Sequence, residues 1–160
     1  MSVKRLFLLK ILLDLMDKIQ NVITAIGGKY LRKDSYGEIQ VKKILDELGV
    51  KYKQEKLITV PIWGKDHLIR ADFYLPKQNC IIEFNGKQHY EYTPKYHKSE
   101  GSFKYQQERD KQLEIYCLKN NINLLVFRYE DFKSGKMKKD ITEMVESKGK
   151  TGVIDIPEFL

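Results

Sequence analysis

Asp72 and Glu83 are acids set inside two strand-like apolar runs of the stretch RADFYLPKQNCIIEFNGKQHY, residues 70–90, and Asn85, Gln88 and His89 follow the second at once. PKQN, residues 76–79, has turn composition, so the two runs read as a hairpin. With Lys77 and Gln78 as the loop residues, Leu75 pairs with Cys80, Phe73 with Ile82 and Ala71 with Phe84, giving one wholly apolar face. The opposite face pairs Tyr74 with Ile81, Asp72 with Glu83 and Arg70 with Asn85, and a slip of a single residue would undo that arrangement. Directly opposed side chains lie ~4.5–5.5 Å apart at Cβ, where like charges repel. A hard divalent cation, Mg²⁺ or Mn²⁺, would offset the repulsion by taking oxygen ligands from both acids, with the Phe84 carbonyl as a candidate third ligand, and would leave positions for a substrate phosphate. The alternatives are a carboxyl kept protonated by its neighbour, or one acid paired with Arg70 at a solvated edge.

The elements that must position this pair can be read outward from it. SYGE, residues 35–38, fits a capping box with Ser35 as N-cap and Glu38 at the third helical position. Val41, Ile44, Leu45 and Leu48 then mark an apolar helix face, and Gly49 stops the helix. Glu38 lies on the side of Val41 and Leu45, so it serves either as the cap or as an acid directed at what that face packs on. Residues 50–60 read as a strand ending at Pro61, and PIWGKD as a turn. Residues 90–102 form an aromatic and basic loop. Residues 103–120 form a helix with Leu113, Tyr116 and Cys117 inward and Asp110 at the edge of that face. Asp110 reads first as a surface acid pairing with Lys111 or Lys104, and second as a site residue. The apolar run 122–129 suits a strand buried on both faces, which implies a helix crossing over to a parallel central strand. A polar helix over about 135–148 and a tail close the chain.

Residues 3–26 read as a further helix, apolar around most of its circumference and ended by Gly27 and Gly28. It is expected to cover the sheet or to pair two chains into a homodimer. Its length and charge make it no membrane span, and it lacks the pattern of a secretory signal.

The chain has 160 residues, 42% hydrophobic and 32% charged, which suits one globular α/β domain with an appended element. Its 29 Lys and Arg against 22 Asp and Glu give a net charge of +7, which favours a polyanionic partner, nucleic acid first. Lys95 and Lys98 in the aromatic loop, and Lys133, Lys136, Lys138 and Lys139 near the chain's end, are candidate phosphate contacts, or else solvated surface. Cys80 and Cys117 form no CxxC and suit buried thiols in a reducing cytoplasm. The histidines lack a zinc-ligand spacing. Neither a small-molecule cofactor nor a membrane is expected as a partner.

The order of helix with an acid, antiparallel strands carrying Asp and Glu, crossover helix and buried strand resembles the core of the restriction endonuclease-like, or PD-(D/E)XK, nuclease superfamily, over roughly residues 35–130. Glu38, Asp72 in RADFYLP and Glu83 in IIEFNGKQHY carry the resemblance. The extended pattern, followed by RDKQLEIYC, is most similar to small phage and bacterial nucleases related to very-short-patch-repair and EDxHD homing endonucleases. The resemblance implies a restriction endonuclease-like mixed sheet over residues 31–160, with residues 1–30 as the added helix. It implies a Mg²⁺-dependent DNA endonuclease of phage or mobile-element origin, and 160 residues leave little room for an added duplex-reading element, which favours structure-selective or weakly sequence-specific cleavage. The superfamily's usual lysine position holds Asn85. Similarity to the EDxHD group implies His89 as the general base with Gln88 assisting, and Lys87 as the substitute. Two other readings remain: a nucleic-acid-binding protein on this fold with little activity, and a protein-interaction module using the first helix.

Overall fold

The capping box forms as the residues indicate. Ser35 Oγ accepts the Glu38 N–H at 3.2 Å, and Glu38 Oε2 accepts the Ser35 N–H at 2.6 Å. It opens helix α1, Tyr36–Glu47, in a computed structural model that describes Met16 and residues 34–147. The chain divides into two compact units, Met1–Asp34 and Ser35–Leu160, and the elements below all belong to the second. The expected first helix, its dimer contact and the tail from residue 148 lie outside the described residues.

After α1, Gly49 takes φ +64° and turns the chain into β1, Lys53–Ile62. Trp63 and Gly64, at φ +49° and +76°, make the tight link to β2, Lys65–Leu75. Positive φ at both loop residues suits the right-handed twist of a two-residue hairpin. Strand β1 runs past Pro61, which the sequence had placed as its stop. Among the described residues β1 is an edge, where a missing N–H is tolerated. The turn Pro76–Asn79 leads to β3, Cys80–Phe84, with the expected register: Phe73 opposite Ile82, Tyr74 opposite Ile81 and Leu75 opposite Cys80.

A 3-10 turn, Lys87–His89, and a loop connect β3 to helix α2, Glu100–Lys119, which starts earlier than expected because Ser99 caps it. Strand β4, Asn123–Phe127, then pairs parallel with β3. The described strands form a four-stranded mixed sheet in the order β1-β2-β3-β4. Strand β4 is therefore an end strand and not the central one. Its burial comes from helices on both faces rather than from flanking strands.

Two short helices follow, α3 (Tyr129–Lys133) and α4 (Lys136–Glu146). The region expected to be a polar helix carries Met137, Ile141 and Met144 inward at helical spacing. These pack with Val41, Ile44 and Leu45 of α1 against Phe73, Leu75, Cys80 and Ile82. On the other face Leu113 and Cys117 of α2 pack with Ile81, Leu124 and the outer part of the β1–β2 hairpin. Ala71, expected beside Phe73, belongs to this second cluster instead. The change of side falls at Asp72. Opposite it Glu55 takes φ +52°, and the regular β1–β2 partners jump from Gln54–Phe73 to Lys56–Ala71. Strict alternation fails at the residue that carries the first acid.

Candidate active site

Asp72 and Glu83 sit one position beyond the last regular β2–β3 pair, and there side chains replace the ladder. The Asp72 N–H donates to Glu83 Oε1 at 2.8 Å, and the Phe84 N–H donates to Asp72 Oδ2 at 2.9 Å. Each acid thus holds one oxygen on a main-chain amide. Asn85 leaves the pairing altogether, donating its N–H to the Phe127 carbonyl of β4 at 2.8 Å. Glu83 is only 6% exposed. Burial, then the neighbouring Asp72 charge, push its carboxyl well above the usual carboxylate range; the Asp72 amide and Arg109 pull the other way. The alternative partner considered for the pair, Arg70, instead meets Glu55 at 3.7 Å.

The chain beyond β3 brings in the imidazole. Gln88 folds its side-chain amide over Gly86, where a Cβ would overlap it, and Lys87 is exposed. His89 Nδ1 lies 2.7 Å from Asp110 Oδ2, with side chains 11% and 23% exposed. A carboxylate only accepts hydrogen bonds, so Nδ1 is the donor of this pair, and in the neutral tautomer that donates there Nε2 has the lone pair. Arg109 Nε and Nη2 reach the other Asp110 oxygen at 3.3 and 3.1 Å. Asp110 therefore pairs with His89 and Arg109, not with Lys111 or Lys104. Sequence reasoning missed Arg109. Its signal was its place beside Asp110 on a helix edge facing the acids.

Glu38 is buried and holds the capping conformation, so the cap is the alternative that forms. The start of α1 nevertheless adjoins the site, because Gly37 packs on the Phe84 ring. Lys95 and Lys98 are exposed in the loop after His89. That loop is organised by His97, 3% exposed, whose Nδ1 accepts the Thr93 N–H at 3.0 Å and whose Nε2 meets Gln106 Oε1 at 3.0 Å. Lys136, Lys138 and Lys139 are not gathered with the acids. They sit on α4, across the sheet from α2, and pair with Asp140, Glu47 and Glu143 at 2.7, 2.9 and 3.9 Å.

Cys80 and Cys117 are buried free thiols, each pushed up to about 12, chiefly by burial. Among the described residues no three His, Cys, Asp or Glu side chains form a cation cage. The fit for a cation therefore rests on the carboxylate oxygens of buried Glu83 and half-buried Asp72, which are of the donor type a hard cation takes. No helix among the described residues is long and apolar enough to cross a membrane.

Two virus proteins are similar to this chain. One is Uncharacterized protein 307L of Invertebrate iridescent virus 6, 33% identical over 113 residues, covering 61% of this chain and 57% of that protein. The other is Uncharacterized protein 033L of Invertebrate iridescent virus 3, 28% identical over 111 residues, covering 68% and 55%. The chain thus spans little more than half the length of these curated relatives. No protein-family profile matches the chain, and no solved structure matches it.

Proposed function

We propose that the chain is a divalent-cation-dependent endonuclease that hydrolyses phosphodiester bonds in DNA, on a restriction endonuclease-like fold and in a virus or mobile-element setting. The observation that carries this reading is the Asp72–Glu83 pair placed where β2 and β3 part, beside the His89–Asp110 pair. Asp72 and Glu83 would hold Mg²⁺ or Mn²⁺, which would supply neutralisation of charge developing on the phosphate and a more acidic water. His89 Nε2 accepts the proton of the attacking water, while Asp110 fixes the ring and stabilises its charged form. Arg109 offsets the negative charge that three nearby carboxylates would otherwise accumulate. The element order α1, three antiparallel strands, α2 and parallel β4 supports the same reading.

The test is incubation of the full chain with labelled duplex, branched and single-stranded DNA in Mg²⁺ or EDTA. Cleavage in Mg²⁺ alone, abolished in Asp72→Asn with DNA binding kept, is the expected result. Cleavage at the wild-type rate in Asp72→Asn, or in EDTA, would sink the proposal. Salt-sensitive binding without any cleavage would favour a nucleic-acid-binding protein on this fold, which Asn85 at the usual lysine position permits.

A further inference from the structure

A second surface, at the starts of α1 and α3, is not used by the hydrolysis itself. Tyr36, in the first turn of α1, is 54% exposed, and Tyr129, opening α3, is 43% exposed. Their ring centroids are 6.3 Å apart, and Phe132 meets the Tyr36 ring edge-on at 5.5 Å. Cations border the group. Lys133 Nζ lies 4.8 Å from the Tyr129 ring centre, and the Arg128 guanidinium lies 3.9 Å from the Tyr90 ring centre. Asp131 accepts the Arg128 N–H at 2.7 Å, which leaves Glu130 as the exposed acid of α3.

The surface is linked to the candidate site along the chain at two points. Gly37, next to Tyr36, packs on Phe84, which follows Glu83. Tyr90, under Arg128, follows His89. Exposed tyrosine rings, tilted 58° to each other and accompanied by cations over neighbouring ring faces, match a nucleic-acid strand, whose bases stack and whose phosphates are anionic. Bases inside a duplex have both faces covered by their neighbours, so only an unpaired base offers a face to a tyrosine.

Resting on the endonuclease reading, we propose that Tyr36 and Tyr129 form a stacking platform for unpaired bases of a DNA strand that runs into the Asp72–Glu83 site. The substrate class is then DNA with a single-stranded segment next to the scissile bond, such as a flap or a fork, rather than blunt duplex.

The experiment is fluorescence anisotropy in EDTA, so that nothing is cut, with a labelled forked duplex, a single strand and a blunt duplex. The full chain is compared with Tyr36→Leu, Tyr129→Leu and the Phe variants at both positions. Leucine keeps apolar bulk against Phe132 but removes the aromatic face. The wild type is expected to bind fork and single strand more tightly than blunt duplex. Each Leu variant is expected to lose roughly 5- to 150-fold of that affinity, the usual worth of one stacked base, and each Phe variant to retain it. Leu variants with melting temperatures and fork binding equal to wild type would overturn the platform, as would tightest binding to blunt duplex. Fork binding that depends on the tyrosines without cleavage in Mg²⁺ would keep the platform and remove the endonuclease. Cleavage that survives both Leu changes with affinity unaltered would do the reverse.

Discussion

Glu83 is buried beside Asp72 with its carboxyl held above the ordinary range, so its proton is coupled to folding. Below the unfolded-state value both states are protonated and the group has no effect. As pH rises from there toward the raised folded value, the unfolded chain releases its proton first and stability falls. Above the folded value the whole penalty is present. Glu83→Gln removes this titration while keeping an oxygen for the Asp72 N–H. In EDTA the variant is expected to melt above wild type at pH 8, with the difference shrinking toward pH 4. Calorimetry across that range checks it, and a variant melting below wild type at pH 8 would show that the charged pair stabilises the fold. The His89–Asp110 contact makes a separate statement. Asn in place of Asp110 can donate to Nδ1, which moves the ring proton to Nε2 and removes the base. Asp110→Asn and His89→Ala are each expected to slow cleavage by ~10²-fold or more, with DNA affinity in EDTA unchanged. The double variant is expected to lose little beyond either single one, because the two act as a unit. Additive losses in a double-mutant cycle would separate them.

At the scale of elements, the start of α1 is held against β3 by the absence of a side chain at Gly37. A Cβ there would fall on the Phe84 ring. Alanine is the better helix former by ~0.8–1 kcal/mol, but overpacking against a ring fixed by its own strand costs about 1–3 kcal/mol. The clash should win. Gly37→Ala is expected to lower stability by about 1 kcal/mol or more in urea titration and to slow cleavage, because Phe84 carries the amide bound to Asp72. An alanine variant as stable and active as wild type would show that the ring moves aside freely. The same elements show which signals are local. The Ser35–Glu38 capping box and the Phe73–Ile82 register were legible because both are set within a few residues, by a cap motif and by a turn. The reversal of faces at Asp72 was not legible, because it falls where the ladder to the neighbouring strand is interrupted, opposite Glu55 with its positive φ, and neither is written in the hairpin's own alternation. The contact of Asp110 with His89 joins residues on separate elements, and no helical spacing within α2 could distinguish it from pairing with a lysine. The inward stripe of α4 was obscured by the charged residues, three lysines and three acids, that occupy most of the remaining positions.

For the whole molecule, a surplus of positive charge, 29 basic against 22 acidic side chains, goes with a candidate site whose core is two acids on adjacent strands. Net attraction for a polyanion and local repulsion of its phosphates would oppose each other there, and a bound divalent cation would reconcile them. A ligand that binds only the folded state stabilises it in proportion to the logarithm of its concentration, by about 2.7 kcal/mol at one hundred times Kd. For a chain of this size that corresponds to a rise in Tm of about 5–10 °C. Titrating Mg²⁺ or Mn²⁺ into the full chain without DNA should therefore raise its Tm toward a gain of that order, while Asp72→Asn and Glu83→Gln should respond weakly or not at all. The order of stabilities is then expected to cross: Glu83→Gln above wild type in EDTA, wild type above the variant at saturating cation. Ionic strength must be matched with KCl throughout, because a protein of net charge +7 also responds to salt as such. Equal shifts in wild type and both variants would assign the effect to screening and leave the acids without a cation. No shift in wild type at millimolar Mg²⁺ and Mn²⁺ would do the same.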